Sequence, residues 1–543
     1  MKRKCMLILL LSLSFSFGGG EELYLRYCAS CHGTDRLGKS APPLFPFLSF
    51  FPSDEKLYRI IKEGTVGMPA FGELGEKEIK QIVEFIKKPI DKEKLKWDKD
   101  RIVKSTQVLQ LNKVEIKKLK DYTLVVERGR GLLWVMEGER LLEKFPFSNI
   151  HGGIKFSREG IAYIPSRDGW IGRYEAQRGE LKKVRVCIYL RNIALSPDEK
   201  YLVASCWLPS ELIVLDNELN YVKNLKLDGT VSAVYELTSQ NSFIFTFRDR
   251  PAVGFLSAKD LKLQIKPTEE PLEDFVIDPL EEYLIGSTRE GLKVYSLMDL
   301  KLVKEIKAEG IPHLASAYFW YSKGTFYFAT PLLKKPALSV WKAYEWEPVK
   351  DIPLEGQGFL ARSNYLTPYI WVDTSTDSLL LLDKRTLDVR KITPKVGSRA
   401  THTEFTGDGR IAYVSLYGRE GALVLYDAVK LKRLKDFPAE LPAGKYNFIN
   451  KKREFEGAQL GYQVFMEKCW GCHHPTKPAF GPALSWSARN RDKALLMAQI
   501  IDPENTYRLL GYSRNAMPKI DLKGEELKAL MKFMEVLKDG WMD

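Results

Sequence analysis

A unit that returns every 39 to 43 residues constrains this chain more than any other feature. Thirteen-residue stretches open the units: "IKFSREGIAYIPS" from Ile154, "IALSPDEKYLVAS" from Ile193, "VYELTSQNSFIFT" from Val234 and "FVIDPLEEYLIGS" from Phe275. They continue with "YFWYSKGTFYFAT" from Tyr318, "ARSNYLTPYIWVD" from Ala361 and "TEFTGDGRIAYVS" from Thr403, and a degenerate copy, "EIKKLKDYTLVVE", stands ahead of them from Glu115. Each stretch holds an apolar strand, a polar turn and a second apolar strand. A third strand such as "SELIVLD" or "GALVLYD" follows, then a more charged fourth. Four strands at a period near forty is the pattern of propeller blades. Eight units predict an eight-bladed all-β propeller over residues 111–450. A tandem array of β-sandwiches would leave the steady period unexplained, and the Gly-His and Trp-Asp marks of WD repeats are missing.

The flanks differ in kind. Cys28-Ala29-Ser30-Cys31-His32 and Cys469-Trp470-Gly471-Cys472-His473 are both Cys-x-x-Cys-His, the pattern of covalent c-type haem attachment. A structural zinc would need four protein ligands, which neither flank supplies, and a redox dithiol would not need the histidine. Helical runs, "EELYLRY" and "GAQLGYQVFMEK", precede the two pentads. A Met-Pro follows each, at Met68 and Met517, and runs into an amphipathic helix. Methionine opposite histidine is a usual axial pair of electron-transfer haems. The reading is therefore multidomain: an all-α cytochrome c domain at 21–90, a linker at 91–110, the propeller, and a second all-α cytochrome c domain at 456–543. Two haem c groups would be held by Cys28, Cys31, Cys469 and Cys472, with His32, Met68, His473 and Met517 on the irons. His474 reads as a loop residue.

The chain has six histidines, and three lie between the flanks. His151 stands three residues before the unit at Ile154, His313 five before Tyr318, and His402 one before Thr403. All three share a phase just ahead of a first strand. First strands are innermost in a propeller, so this phase gathers the imidazoles at one mouth of the central channel. Arg191, Arg362 and Arg399 approach by the same region. Imidazole with guanidinium suits a metal-bearing ligand that also carries carboxylates.

"MKRK", an apolar run and "GGG" read as a signal peptide over residues 1–20, which implies a periplasmic protein. A charged fraction of 28% excludes a membrane-embedded chain. Net charge is +13, but the lysines are interleaved with acids, which gives a solvated surface rather than a nucleic-acid stripe. Cys187 and Cys206 remain after the haem pairs and Cys5; a disulfide and two buried thiols both fit.

A cytochrome c domain joined to an eight-bladed propeller resembles the cytochrome cd1 family, the nitrite reductases and their relatives in haem d1 biosynthesis. "NIHGGIKFSREGIAYIPSRDGWIGRYE" resembles the segment with the proximal haem d1 ligand, which implies that role for His151. "AEGIPHLASAYFWYSKGTFYFAT" resembles the segment with a distal histidine, which implies His313. "HTEFTGDGRIAYVSLYGREGALVLYD" and "PAGKYNFINK" resemble the last blade and its closing stretch. The resemblance covers residues 21 to 450. Two departures stand out. The segment "GQGFLARSNYLTPYIWVDTSTDSLLLLD", where a second distal histidine is expected, has Asn364 nearest, and asparagine is no general acid. The second cytochrome domain is absent from the usual layout. The resemblance implies oxidation of dihydro-haem d1 to haem d1. His151 would sit on the tetrapyrrole iron, His313 would be the base, with His402 and Arg362 beside it, and Arg191, Arg362 and Arg399 would hold its carboxylates. Electrons would leave through the c haems to a cytochrome or cupredoxin partner. The family also points to a homodimer. The alternatives are nitrite reduction to nitric oxide, with His402 as substitute proton donor, and a non-catalytic di-haem electron carrier.

Overall fold

A computed structural model of the chain describes residues 19–38, 41–46, 52–64 and 68–540. The expected signal peptide falls almost wholly outside them. The chain divides into two compact units, Met1–Lys96 and Trp97–Asp543.

The first unit is helical: Gly19–Tyr27, Ala29–His32, Asp54–Glu63 and Glu76–Lys87. Ser53 caps the third helix by accepting the Lys56 amide, and Glu78 closes the start of the fourth by accepting the Gly75 amide at 2.8 Å. The fourth helix buries Ile79, Ile82, Val83 and Ile86, a spacing that lines one helical face. They pack with Tyr24, Leu57 and Ile61. Arg36 donates to the carbonyls of Phe85 and Lys88 at 2.8 and 2.9 Å, supplying partners and a cation where that helix ends.

In the second unit eight antiparallel sheets carry the repeats, and strand order follows the chain from the innermost outwards in seven of them. In the third blade, for example, the order is Tyr189–Leu195, Tyr201–Leu208, Ser210–Asp216, Tyr221–Lys226. Facing blades bury one another's alternate residues; Ala194, Val203, Leu212 and Val214 meet Val231, Val234, Phe243 and Phe245. The first blade departs from the expected pattern. The stretch from Glu115 supplies no inner strand; Pro442–Asn447 takes that place, beside Tyr122–Glu127. The ring is thus closed by a strand from the far end of the chain, which is why the first copy is degenerate. Asn447 clamps the closure: its amide donates to the carbonyls of Lys120 and Tyr122, and its oxygen accepts the Ile449 amide. Part of the expected linker also joins the propeller. Gln107–Gln110 adds a fifth, outermost strand to the second blade, and the Trp97 indole donates to the Arg185 carbonyl at 3.0 Å. A disulfide joins Cys187 to Cys206.

Beyond the closing strand come Arg453–Lys468, Leu484–Asn490, Lys493–Ile501 and Gly524–Lys538. The first and last of these helices cross at Gly461, where a Cβ would lie 1.9 Å from the Ala529 carbonyl oxygen. Phe465, Leu530, Phe533 and Leu537 pack inside this helical domain. Leu460, Val464 and Ala529 face the other way and join Tyr321, Phe328 and Leu332 of the propeller. The domain rests on turns between first and second strands: the amides of Lys323 and Gly324 bond Glu467, and Lys528 pairs with Glu282. Those turns lie at the opposite end of the inner strands from His151 and His313.

Candidate functional site

The mouth where inner strands begin is built from loops whose backbone is forced into unusual shapes. Gly152 and Gly153 follow His151 with φ of +88° and +85°. A Cβ on Gly152 would strike the Arg191 carbonyl at 2.5 Å, whereas one on Gly153 would meet nothing within 4 Å. His151 is anchored by its amide on the Pro165 carbonyl at 3.1 Å, and its Nδ1 is buried without a hydrogen bond of good geometry. Burial, then the charges of Arg167 and Arg191, push its pKa down to about 3, offset in part by the Arg191 carbonyl.

His402 lies inside the strand Ala400–Phe405 rather than ahead of it. The pairing register shifts between Thr401 and Glu404, and His402 takes φ 53° at that bulge. The buried Lys445 of the closing strand donates to its carbonyl. Burial, then Lys445, Arg362 and Arg399, lower the pKa of His402 to about 3. Arg128 pushes both imidazoles in the same direction, so both face the field of one guanidinium. His313 precedes its strand; its Nδ1 donates to the Phe359 carbonyl at 2.6 Å. The Phe359 amide donates to Asp373 Oδ1 at 2.7 Å, and Asp373 Oδ2 accepts the Thr401 hydroxyl at 2.6 Å. One carboxylate thus links the shelf under His313 to the residue beside His402.

The arginines named from the sequence are on this rim. Arg191 donates to the Ser232 carbonyl at 2.7 Å and lies over Trp207. Arg362 bonds the Ala361 carbonyl at 3.1 Å and comes within 3.5 Å of the Ala315 carbonyl, two residues from His313. Arg399 lies over Tyr417. Sequence reasoning missed the rest of the wall: Arg167 on the Tyr189 hydroxyl at 2.8 Å, Tyr189 stacked on Trp207, and Arg248 on the same indole. Asn364 corrects an expectation. It belongs to a turn at the other end of the blade, where it donates to the Thr406 and Gly407 carbonyls at 3.2 Å; it pins turns and is remote from the mouth.

Both flanks present the Cys-x-x-Cys-His donors. His32 Nδ1 donates to the Pro42 carbonyl at 2.7 Å, which leaves Nε2 for a metal, and burial lowers its pKa. Cys28 is buried and Cys31 exposed, and Met68 packs against the same apolar core. In the second, Cys469, Cys472, His473 and Met517 line one cavity of about 350 Å³. His473 Nδ1 donates to the Pro482 carbonyl at 2.9 Å, and Gly481 passes so close that a Cβ would lie 2.3 Å from the ring. The Gln499 amide reaches Met517 Sδ at 3.8 Å. These residues fit a thioether-linked haem with histidine and methionine ligands. His474 Nδ1 accepts the amides of Thr476 and Lys477, the loop role expected of it. Pro42 and Pro482 were missed, although each follows its histidine at nearly equal distance in the sequence.

Residues 117–451 match the cytochrome D1 heme domain family, and residues 17–86 the family of cytochrome c oxidase, cbb3-type, subunit III. The chain is 33% identical over 471 residues to a dihydro-heme d1 dehydrogenase of Pseudomonas aeruginosa, an alignment covering 81% of this chain and 95% of the relative. It is 23% identical over 521 residues to a nitrite reductase of Stutzerimonas stutzeri, covering 79% and 92%. Among solved structures, the dihydro-heme d1 dehydrogenase NirN in complex with DHE matches with a TM-score of 0.74 at 32% identity, over 80% of this chain and 99% of that one.

Proposed function

The chain belongs to the cytochrome d1 haem domain family, and from that premise we propose that it oxidises dihydro-haem d1 to haem d1, with two c haems taking the electrons. Converting a propionate side chain to an acrylate removes two hydrogens, that is two electrons and two protons. Each c haem, when bound, accepts one electron. His151 is the residue for the substrate iron: kept neutral by burial and by arginines, its ring presents a lone pair rather than an imidazolium. Arg191, Arg362 and Arg399 hold substrate carboxylates as forked donors. His313, steadied through Nδ1 by Phe359, has Nε2 free to take one proton, the second passing to solvent water, and His402 stands across Asp373 from it.

The observation that carries the reading is a buried imidazole without a good partner for Nδ1, set in a ring of guanidinium groups within a chain so similar to a dihydro-heme d1 dehydrogenase. Nitrite reduction is less well supported. It needs protons delivered at the distal side, and His402, with its pKa near 3, holds no imidazolium proton at neutral pH. The Cys187–Cys206 disulfide accords with an oxidising compartment such as the periplasm. Among the described residues no helix is long and apolar enough to cross a membrane.

The test is anaerobic incubation of the oxidised protein with dihydro-haem d1. The expected result is the red-shifted spectrum of haem d1 with two c haems reduced per tetrapyrrole. An unchanged tetrapyrrole beside intact, oxidised c haems would refute the proposal. His313→Ala should slow the reaction by about a hundredfold or more while leaving tetrapyrrole binding within a few-fold.

A further inference from the structure

The end of the propeller axis opposite the histidine mouth is closed by a short charged segment, residues 451–456. Lys451 pairs with Glu404 of the eighth blade at 3.0 Å, and Lys452 with Glu199 of the third at 3.4 Å. Glu454 pairs with Arg158 of the second blade at 3.0 Å, and Arg453 with Glu281 of the fifth at 3.4 Å. Partners on four blades set the segment across the axis. Its last residues form the first turn of the helix Arg453–Lys468 and lie beyond the d1 haem domain.

Behind the segment is an enclosed polar space. Glu456 Oε2 accepts from Arg453 at 3.0 Å, and the charges of Glu236, Lys155 and Lys451 also act on it. Burial pushes its carboxyl pKa up against the pull of Arg453, yet its side chain is 44% open to water. A group walled by protein but reachable by water faces a narrow shaft. Beside it lies a cavity of about 50 Å³, room for a few waters, lined by Lys155, Glu199, Glu236, Lys451, Arg453 and Glu454. Arg453 Nε and Glu454 Oε1 are buried without a hydrogen bond of good geometry, a condition that water relieves. Lys155 is paired with Glu236 at 3.0 Å, so each cation here already has its acid and the space does not select an anion.

Two tyrosines carry the polar lining up to the mouth. Tyr446 of the closing strand folds back along it. Its hydroxyl would lie 2.8 Å from a Cβ on Gly444, two residues nearer the mouth, while Lys451 Nζ stands 5.8 Å from its ring. The charges of Arg362, at the mouth, and of Glu404 both act on Tyr446, and Arg362 acts on Lys451 as well. On the fourth blade Tyr235 spans the same interval, between Arg191 and Asp274 at the mouth and Glu236 and Arg453 at the far end. Both tyrosines are half-buried, and neither hydroxyl forms a hydrogen bond among the described residues.

We propose that this axial shaft is a proton exit for the reaction, with Glu456 as the acceptor at its outlet. The inference deepens the function proposed above and rests on it. Each oxidation sends two electrons to the c haems and releases two protons. His313 takes one; the other passes by water along Tyr446 and Tyr235 to the Glu456 carboxylate, which binds it and yields it to solvent through the cavity. Glu456 acts through the water file and touches no substrate.

The first test is a high-resolution crystal structure of the full-length holoprotein. Ordered waters should run from the Tyr446 hydroxyl to Glu456; a dry or blocked shaft would overturn the route whether or not the tetrapyrrole is oxidised. The second is single-turnover oxidation of dihydro-haem d1 in light and heavy water. Glu456→Gln should slow c-haem reduction about tenfold and raise the solvent isotope effect, with tetrapyrrole affinity and visible spectra unchanged. Glu456→Asp should keep most of the rate, and formate, a small weak acid, should restore the Gln variant. A Gln variant as fast as wild type with the same isotope effect, or Gln and Asp variants equally slow and beyond rescue, would overturn the role of Glu456. Wild-type protein that binds dihydro-haem d1 without oxidising it would instead remove the reaction proposed above, and the crystal structure would still decide the shaft.

Discussion

His151 and His402 are imidazoles that the fold keeps from protonating. Their folded pKa values, about 3, lie below the ordinary 6.5. Between those values the unfolded chain binds more protons, so stability rises with pH across this window and is lost as pH falls through it. The melting temperature should therefore drop as pH is lowered from 7 to 4, and His402→Gln should flatten that drop in a thermal scan series. Gly481 gives a second residue-scale expectation. Gly481→Ala would drive a methyl group into the His473 ring, and the spectrum of the c haem proposed for the second crevice should change while that of the first is unaffected. At this scale the sequence was partly legible. The three histidines could be phased against the repeat because each lies near the start of an inner strand. Arg128, Arg167 and Arg248 follow the ends of second strands by one or two residues, at the same mouth. That phase is as regular as the one the histidines share. Asn364 misled because sequence distance from an inner strand does not say which end of the blade a turn occupies.

Strand-level order depends on one long-range closure. Asn447 holds the closing strand through carbonyls of Lys120 and Tyr122 and is fully buried. Asn447→Ala should cost about 3 kcal/mol in denaturant unfolding, because several buried polar groups lose their partners together. The repeat spacing reported the blades because each blade is local, with hairpin-linked strands. It could not report the closing strand, which pairs across more than 300 residues and carries no local mark of its partner. The bulge at His402 was hidden for a related reason: one extra residue in a strand changes where a side chain points without changing the apolar pattern.

The whole molecule gains a fixed attachment that its repeats and motifs do not announce. Arg453 donates to the carbonyls of Ile277 and Asp278 at 2.8 and 2.7 Å and pairs with Glu281 and Glu456, at the junction of propeller and C-terminal helical domain. Arg453→Met should cost about 3 kcal/mol and appear as faster amide exchange in the helices Arg453–Lys468 and Gly524–Lys538. The attachment sets the second crevice's domain on the rim opposite the histidine mouth.

By itself the sequence determined the blades, the two Cys-x-x-Cys-His pentads and the shared phase of three histidines, because each is written in short-range periodicity or spacing. Tertiary structure alone decided the closing strand, the turn of His402 out of its strand, the neutral state of His151 and His402 and the rim that the C-terminal helical domain covers. Those depend on burial, on fields from charges far away in the chain and on which surfaces meet, and none of these has a local signature in the order of residues.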